Sequence, residues 1–410
     1  MKGYLTKDTN SAQRASSVKG MGNTTDSQVH YFDALNNQPL NRAAKLGLEQ
    51  ALAHAWADPS RLYSNSRKSR QLLEEGRNSL AQKLLLKPTE IIFAPGFPFV
   101  FSYLVNRLMQ SEKRKNKKIL LSEVEQSALL SSAGNFLHQK IAVKENAQVD
   151  AKQFVENLSS EVGLAVIQFA NHEIGTKQPT AEIYQACKSR GIDLLVDATM
   201  TFALDEIGDN FDILVLNPVS WQGPAGLSVV AIRENVELIS PLKRDTRENQ
   251  KFPAFPNVPL AISAAAALEE TIQKLPKTLS QMQKAQNVIT EKISLIPGAR
   301  VITDPTVSLC NIICAIFEDI DGETLVHELD KSGFEISSGS SCRADEIAPS
   351  HVMQAIGLAN ATNIRISLPV DLDEISAIDF ATSLTNAIGK IRSRRHPSEW
   401  RGTGGVAPSR

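Results

Sequence analysis

An alternation along the chain constrains the fold more than any other feature. Short apolar runs, EIIFA (90–94), KKILLSE (117–123), GLAVIQFA (163–170), GIDLLVDA (191–198) and FDILVL (211–216), are separated by stretches long enough for a helix. Runs that are apolar at consecutive positions suit strands buried on both faces, and intervening helices suit crossover connections. The pattern therefore predicts an α/β architecture with a mainly parallel, doubly wound sheet. It changes at about Pro259, where a long helical segment is predicted as far as Ile296. There AISAAAALEETIQKL (261–275) combines strong helix formers with apolar spacing near ~3.6. Beyond it, NIICAIFE (311–318), GETLVHELDKSG (322–333) and NIRISL (363–368) read as strand, helix and strand of a smaller α+β domain.

A chain of 410 residues can bury more than one core. The expected organisation is a disordered N-terminal segment (1–29), a large α/β domain (30–260), a long helix with the small α+β domain (261–391), and a flexible tail (392–410). Some residues at the start of the large domain could join the small one. Lys and Arg (44) nearly balance Asp and Glu (45), so bulk charge points neither to nucleic acid nor to an anionic membrane. No run reaches the ~18 apolar residues of a membrane span. The four cysteines, Cys187, Cys310, Cys314 and Cys342, are too scattered for a disulfide framework, which fits a soluble protein of the reducing cytoplasm. There is no Cys-x-x-Cys pair and no His-x-x-x-His, so a metal site joining His172 to Cys342 or Asp197 is not expected. Cys310 and Cys314, in the apolar run LCNIICAIF, suit alternate core positions.

Two stretches are more specific. NHEIGTKQP (171–179) follows one apolar run, and the next run ends in VDA (196–198). SSGSSCRADEIAPSHVMQAIGL (337–358) carries Cys342 in a Gly/Ser-rich loop, and NIRISL follows with Arg365. In order and spacing these resemble the cofactor-binding region and the sulfur-accepting loop of cysteine desulfurases, NifS-like members of the class V aminotransferase group. YFDALNNQPL (31–40), ADPSRLYSNSRKSRQLLEEGRNSLAQKL (57–84) and IIFAPGF (91–97) agree in order, so the resemblance runs from roughly residue 30 to 390. It implies a large domain of the fold-type-I pyridoxal phosphate (PLP) transferase kind and a homodimer. It also implies a sulfur-transfer or iron-sulfur assembly protein as partner. In that family cysteine becomes alanine and its sulfur passes to the loop cysteine, here Cys342, while Arg365 and Asn171 take substrate-binding positions.

PLP needs a lysine for the Schiff base, an acid at the pyridine nitrogen, a phosphate cradle and a group stacked on the ring. Asp197, at a strand end, suits the nitrogen. The lysine position implied by the resemblance is Ser220, within NPVSWQGPAG (217–226), with Val219 and Asn217 replacing a histidine and a serine. A hydroxyl forms no imine and cannot shuttle the alpha proton as an amine does. The phosphate segment, Gly-Ala-Thr-Glu in the family, reads Gly96, Phe97, Pro98, Phe99, which removes donors and adds bulk. Gln126 stands for the stacking histidine, His172 for the second asparagine of an Asn-Asn pair, and Met200 for a glutamine. AFPNVPL (254–260) replaces an Arg-Ser-Gly-Thr segment.

The leading expectation is therefore a non-catalytic binding or regulatory relative without covalent PLP. Two alternatives remain open. One is an active PLP-dependent cysteine desulfurase with a relocated lysine, such as Lys177 or Lys243. The other is a PLP-independent persulfide relay through Cys342, whose thiol would gain thiolate character beside Arg343 and Arg365. Phe97, Gln126, His172, Met200 and Trp221 are expected to line the remodelled pocket, the two rings and the methionine filling vacated volume.

Overall fold

Val162–Gln168 is buried at every position, and so are Asp193–Asp197, Ile213–Leu216 and Leu227–Ile232. Such strands must lie inside a sheet covered on both faces. The computed structural model describes residues 30–200, 207–238, 240–242, 245, 247–253, 256–338, 350–359 and 361–395. In chain order these form β1 (His30–Tyr31), α1 (Arg42–His54), α2 (Ser64–Lys83), β2 (Ile91–Pro95), α3 (Phe99–Met109), β3 (Lys118–Ser122), α4 (Ser127–Ala133), β4 (His138–Ile141), α5 (Ala151–Glu156), β5 (Val162–Gln168), α6 (Thr180–Ser189), β6 (Asp193–Asp197), β7 (Ile213–Leu216) and β8 (Leu227–Ile232). There follow α7 (Val258–Ser294), β9 (Ala299–Val301), β10 (Ile312–Phe317), α8 (Gly322–Asp330), β11 (Phe334–Glu335), β12 (Ser337–Ser338), α9 (His351–Ala355), β13 (Asn363–Ser367) and α10 (Glu374–Arg395).

The expected α/β architecture is present. A seven-stranded sheet runs β2-β8-β7-β6-β5-β3-β4. The pairings from β7 through β6, β5 and β3 to β4 are parallel, and β8 is antiparallel to both β7 and β2. The run LSVVAI that forms β8 is apolar like its neighbours, but its direction comes from its connection. Between β7 and β8 the chain makes only the short 3-10 turn Pro218–Trp221, too little for a parallel crossover, so the strand must return antiparallel. Edge strand β4, HQKI, is largely exposed and gives no apolar run to read.

A four-stranded antiparallel sheet, β12-β13-β10-β9, forms the second layer with α8 and α10. The N-terminal end of the described chain joins this unit. β1 pairs in parallel with β11, and Phe32 stacks on Phe380 with ring centroids 4.3 Å apart. Helix α7 connects the layers. Its 37 residues span about 55 Å. Its first half buries Ala261, Ala264 and Leu268 against the large sheet, and its second half buries Met282, Ala285, Ile289 and Ile293 against the small one. Asn257 caps its start, accepting the amide of Leu260 at 3.2 Å. Helix α10 continues to Arg395, into the stretch read as tail from residue 392. Its last turn is basic, which complements the helix dipole, and Arg394 donates to Glu328 at 2.8 Å. Among the described residues no helix is long and apolar enough to cross a membrane.

Candidate functional site

The carboxyl ends of adjacent parallel strands are where an open α/β sheet offers a crevice. Asp197 ends β6 there. Its Oδ1 accepts the amide of Thr199 at 2.9 Å and the Thr199 hydroxyl at 2.7 Å, while its Oδ2 is buried without a hydrogen-bond partner. Burial pushes this carboxyl up to about 6. Gln126, just before α4, donates from Nε2 to Thr199 Oγ1 at 2.8 Å, so its amide is tied to the same group. Glu125 beside it is fully buried. One of its oxygens accepts the Ser122 hydroxyl at 2.6 Å and the other has no partner. Burial, with Asp197 adding to it, pushes Glu125 up to about 8. Gln168, ending β5, donates to the carbonyl of Val124 at 2.7 Å, and its own amide oxygen is unmatched.

Asn171 shapes its own turn. Its side-chain oxygen accepts the amides of Glu173 and Ile174, both at 2.9 Å, and its amide group donates to Val124 at 3.3 Å. Gly175 closes that turn with φ +88°, a conformation that favours glycine. His172 stacks on His351 with ring centroids 6.0 Å apart, and burial with neighbouring positive groups lowers it to about 3, so it is neutral. The carboxylate of Glu173 accepts the Ser350 hydroxyl at 2.7 Å and the Asn363 amide at 3.3 Å. Arg365 donates to Asp33 at 2.8 Å and to the carbonyl of His172 at 3.2 Å, with its Nε unmatched. The residues that gather here unread from sequence are Asp33, Glu125, Glu173, Ser350 and His351. All lie inside stretches already singled out or next to them, but none differs from an ordinary polar residue until its partner is known.

Ser220 lies in the turn Pro218–Trp221, which Asn217 caps by accepting the amide of Val219 at 3.2 Å. The Ser220 hydroxyl is buried and donates to the carbonyl of Asn217 at 2.9 Å. Two pocket expectations change here. Trp221 is fully buried in the core beneath α7, donating from its indole to Ala264 at 3.0 Å. Phe97 lies in the cluster on the other side of the sheet, edge-on to Phe101 at 5.7 Å. Both rings serve the two cores because the sheet draws apolar groups to each face. Met200 is partly buried against the large core. Before α3, Pro98 makes no side-chain cap and Phe99 is exposed, so positions 97–99 supply no side-chain donor. Gly96 is required by close approach, since a Cβ there would sit 2.9 Å from the backbone of Gly226.

Cys342, Arg343, Lys243, Ala254 and Phe255 lie outside the described residues. Lys177 bridges Ala170 and bonds through its backbone amide to Val307 at 2.8 Å. Cys314 is a core residue of β10, its thiol pushed up to about 12 by burial. Among the described residues no three His, Cys, Asp or Glu side chains are grouped to hold a metal ion.

A family model described as aminotransferase class-V matches residues 46–375. The chain is 26% identical over 357 residues to cysteine desulfurase IscS of Clostridium botulinum, covering 83% of this chain and 89% of that protein. It is 25% identical over 361 residues to cysteine desulfurase IscS of Methanosarcina thermophila, covering 85% and 89%. A solved structure titled NifS-like protein superposes with a TM-score of 0.80 at 20% identity, covering 88% of this chain and 99% of the other.

Proposed function

The chain belongs to the aminotransferase class-V family, with the NifS-like fold of PLP proteins, and from that premise we propose that it is a cysteine-desulfurase-like protein that holds no PLP through a lysine. In this reading it acts as a non-catalytic binding or regulatory relative, a cytoplasmic homodimer that works with a sulfur-transfer or iron-sulfur assembly protein. The observation that carries the reading is Ser220. At the position where the family resemblance calls for an amine stands a buried hydroxyl, already donating to Asn217 within its own turn. A hydroxyl can neither anchor an aldehyde cofactor as an imine nor serve as the base that a desolvated lysine supplies.

The other residues fit the cofactor unequally. The unmatched Asp197 oxygen suits a protonated ring nitrogen. The segment before α3 does not suit a phosphate, because Pro98 has no amide hydrogen and the flanking residues are phenylalanines. Covalent PLP therefore does not fit these residues.

The test is an absorption spectrum of the purified protein before and after adding PLP, followed by borohydride reduction and peptide mass mapping. The expected result is no visible band of lysine-bound cofactor and no modified lysine. A band with modification at Lys177 or Lys243 would reinstate an active desulfurase.

A further inference from the structure

A groove of about 890 Å³ opens in the small domain, between the turn that follows α7 (295–298), the turn that leads from β10 to α8 (318–319) and the later half of α10. Its apolar part comes from Leu295, Ile296 and Ile388, and Leu295 is 72% exposed. Gly389 of α10 lines it with bare backbone. Lys292, Arg392, Glu318 and Asp319 line the same groove, and none of the four has an ion-pair partner among the described residues. Arg392 donates to the main-chain oxygen of Glu318 at 3.4 Å. The Glu318 carboxylate and the Arg392 guanidinium both face Gly298, where a Cβ would meet them at 3.0 and 3.3 Å, yet the two side chains make no ion pair with each other.

Apolar surface flanked by unmatched charges of both signs suits a peptide segment that carries an apolar side chain between an acid and a base. The chain itself supplies one. Beyond Arg395, outside the described residues, the sequence reads HPSEWR (396–401), with Trp400 between Glu399 and Arg401. Pro397 disfavours helix at His396, so the sequence works against prolonging α10. Arg392 lies in the groove one helical turn, about 5 Å, before Arg395. Trp400 follows Arg395 by five residues, which span up to about 17 Å when extended, so the segment can turn back and reach the groove.

We infer that this groove is the seat of the chain's own residues 398–401, with Trp400 against Leu295 and Ile388, Glu399 towards Lys292 and Arg392, and Arg401 towards Glu318 and Asp319. The tether makes the contact intramolecular. Its effective concentration is in the ~mM range, so contacts too weak to hold a free peptide suffice. The inference is independent of whether the protein holds PLP.

The test is limited trypsin digestion of the whole protein, with the initial rate of cleavage between Arg401 and Gly402 read by intact mass. Trp400→Ala is expected to be cut there at least tenfold faster than the wild type. Two changes in the groove should have the same effect. Gly389→Gln fills it with a side chain and favours helix over glycine, and Leu295→Glu alters an exposed position where the fold tolerates substitution. Circular dichroism checks that each variant is folded. Equal rates for the wild type and Trp400→Ala would overturn the inference. So would a folded groove variant cut as slowly as the wild type, because the segment would then be protected elsewhere. Wild-type protection that grows with protein concentration would assign the groove to the segment of a neighbouring copy and overturn the tethered contact.

Discussion

Replacing Glu125 by glutamine should make the protein less sensitive to alkaline pH. Burial raises this carboxyl from 4.5 to about 8. The folded protein therefore holds a proton across that interval and the unfolded chain does not. The stability tied to this proton is fully present below pH 4.5 and is lost as pH rises through about 8, where the wild type must either ionise a buried acid or unfold. At about 1.4 kcal/mol per pKa unit, the whole interval is worth on the order of 5 kcal/mol. Asp197 acts in the same direction but only up to about 6, so its contribution is complete before the upper part of the window. Glu125→Gln keeps an oxygen for the Ser122 hydroxyl and carries no titrating proton. Urea midpoints measured from about pH 6.5 to 9 should fall steeply for the wild type and stay nearly level for the variant, which should be the more stable protein at the alkaline end. Parallel slopes for the two proteins would refute the reasoning, because Glu125 would then titrate alike in the folded and unfolded states.

Arg365→Gln strands the Asp33 carboxylate in a largely buried pair and should cost about 3–5 kcal/mol in urea unfolding, with Asp33→Asn in the same chain recovering part of it. Trp221→Ala empties the core beneath α7 and removes the bond to Ala264, for an expected loss of about 3–5 kcal/mol and a clear drop in Tm by calorimetry. Ser350→Ala removes a donor from the buried Glu173 and the cap of α9, at a cost of about 1–3 kcal/mol. Hydrogen exchange should then rise first in His351–Ala355.

The apolar runs of β2, β3, β5, β6 and β7, the long helix α7 and the strand-end position of Asp197 were all legible in the sequence. These depend on local periodicity and propensity, which a short window of chain records. The direction of β8 was not announced by its composition; it follows from a connection too short to cross over. Partners were still less legible. Arg365 meets Asp33 across 332 positions and Glu173 meets Ser350 across 177, pairings that no local pattern specifies. Phe97 and Trp221, read together as pocket lining, go to cores on opposite sides of the sheet. From the chain alone, the family resemblance points to Ser220 as the residue at the position where an amine is expected. That Glu125, Gln168 and Asp197 each keep a buried oxygen without a partner emerges only in the folded chain, because hydrogen-bond satisfaction belongs to pairs of groups and not to residues.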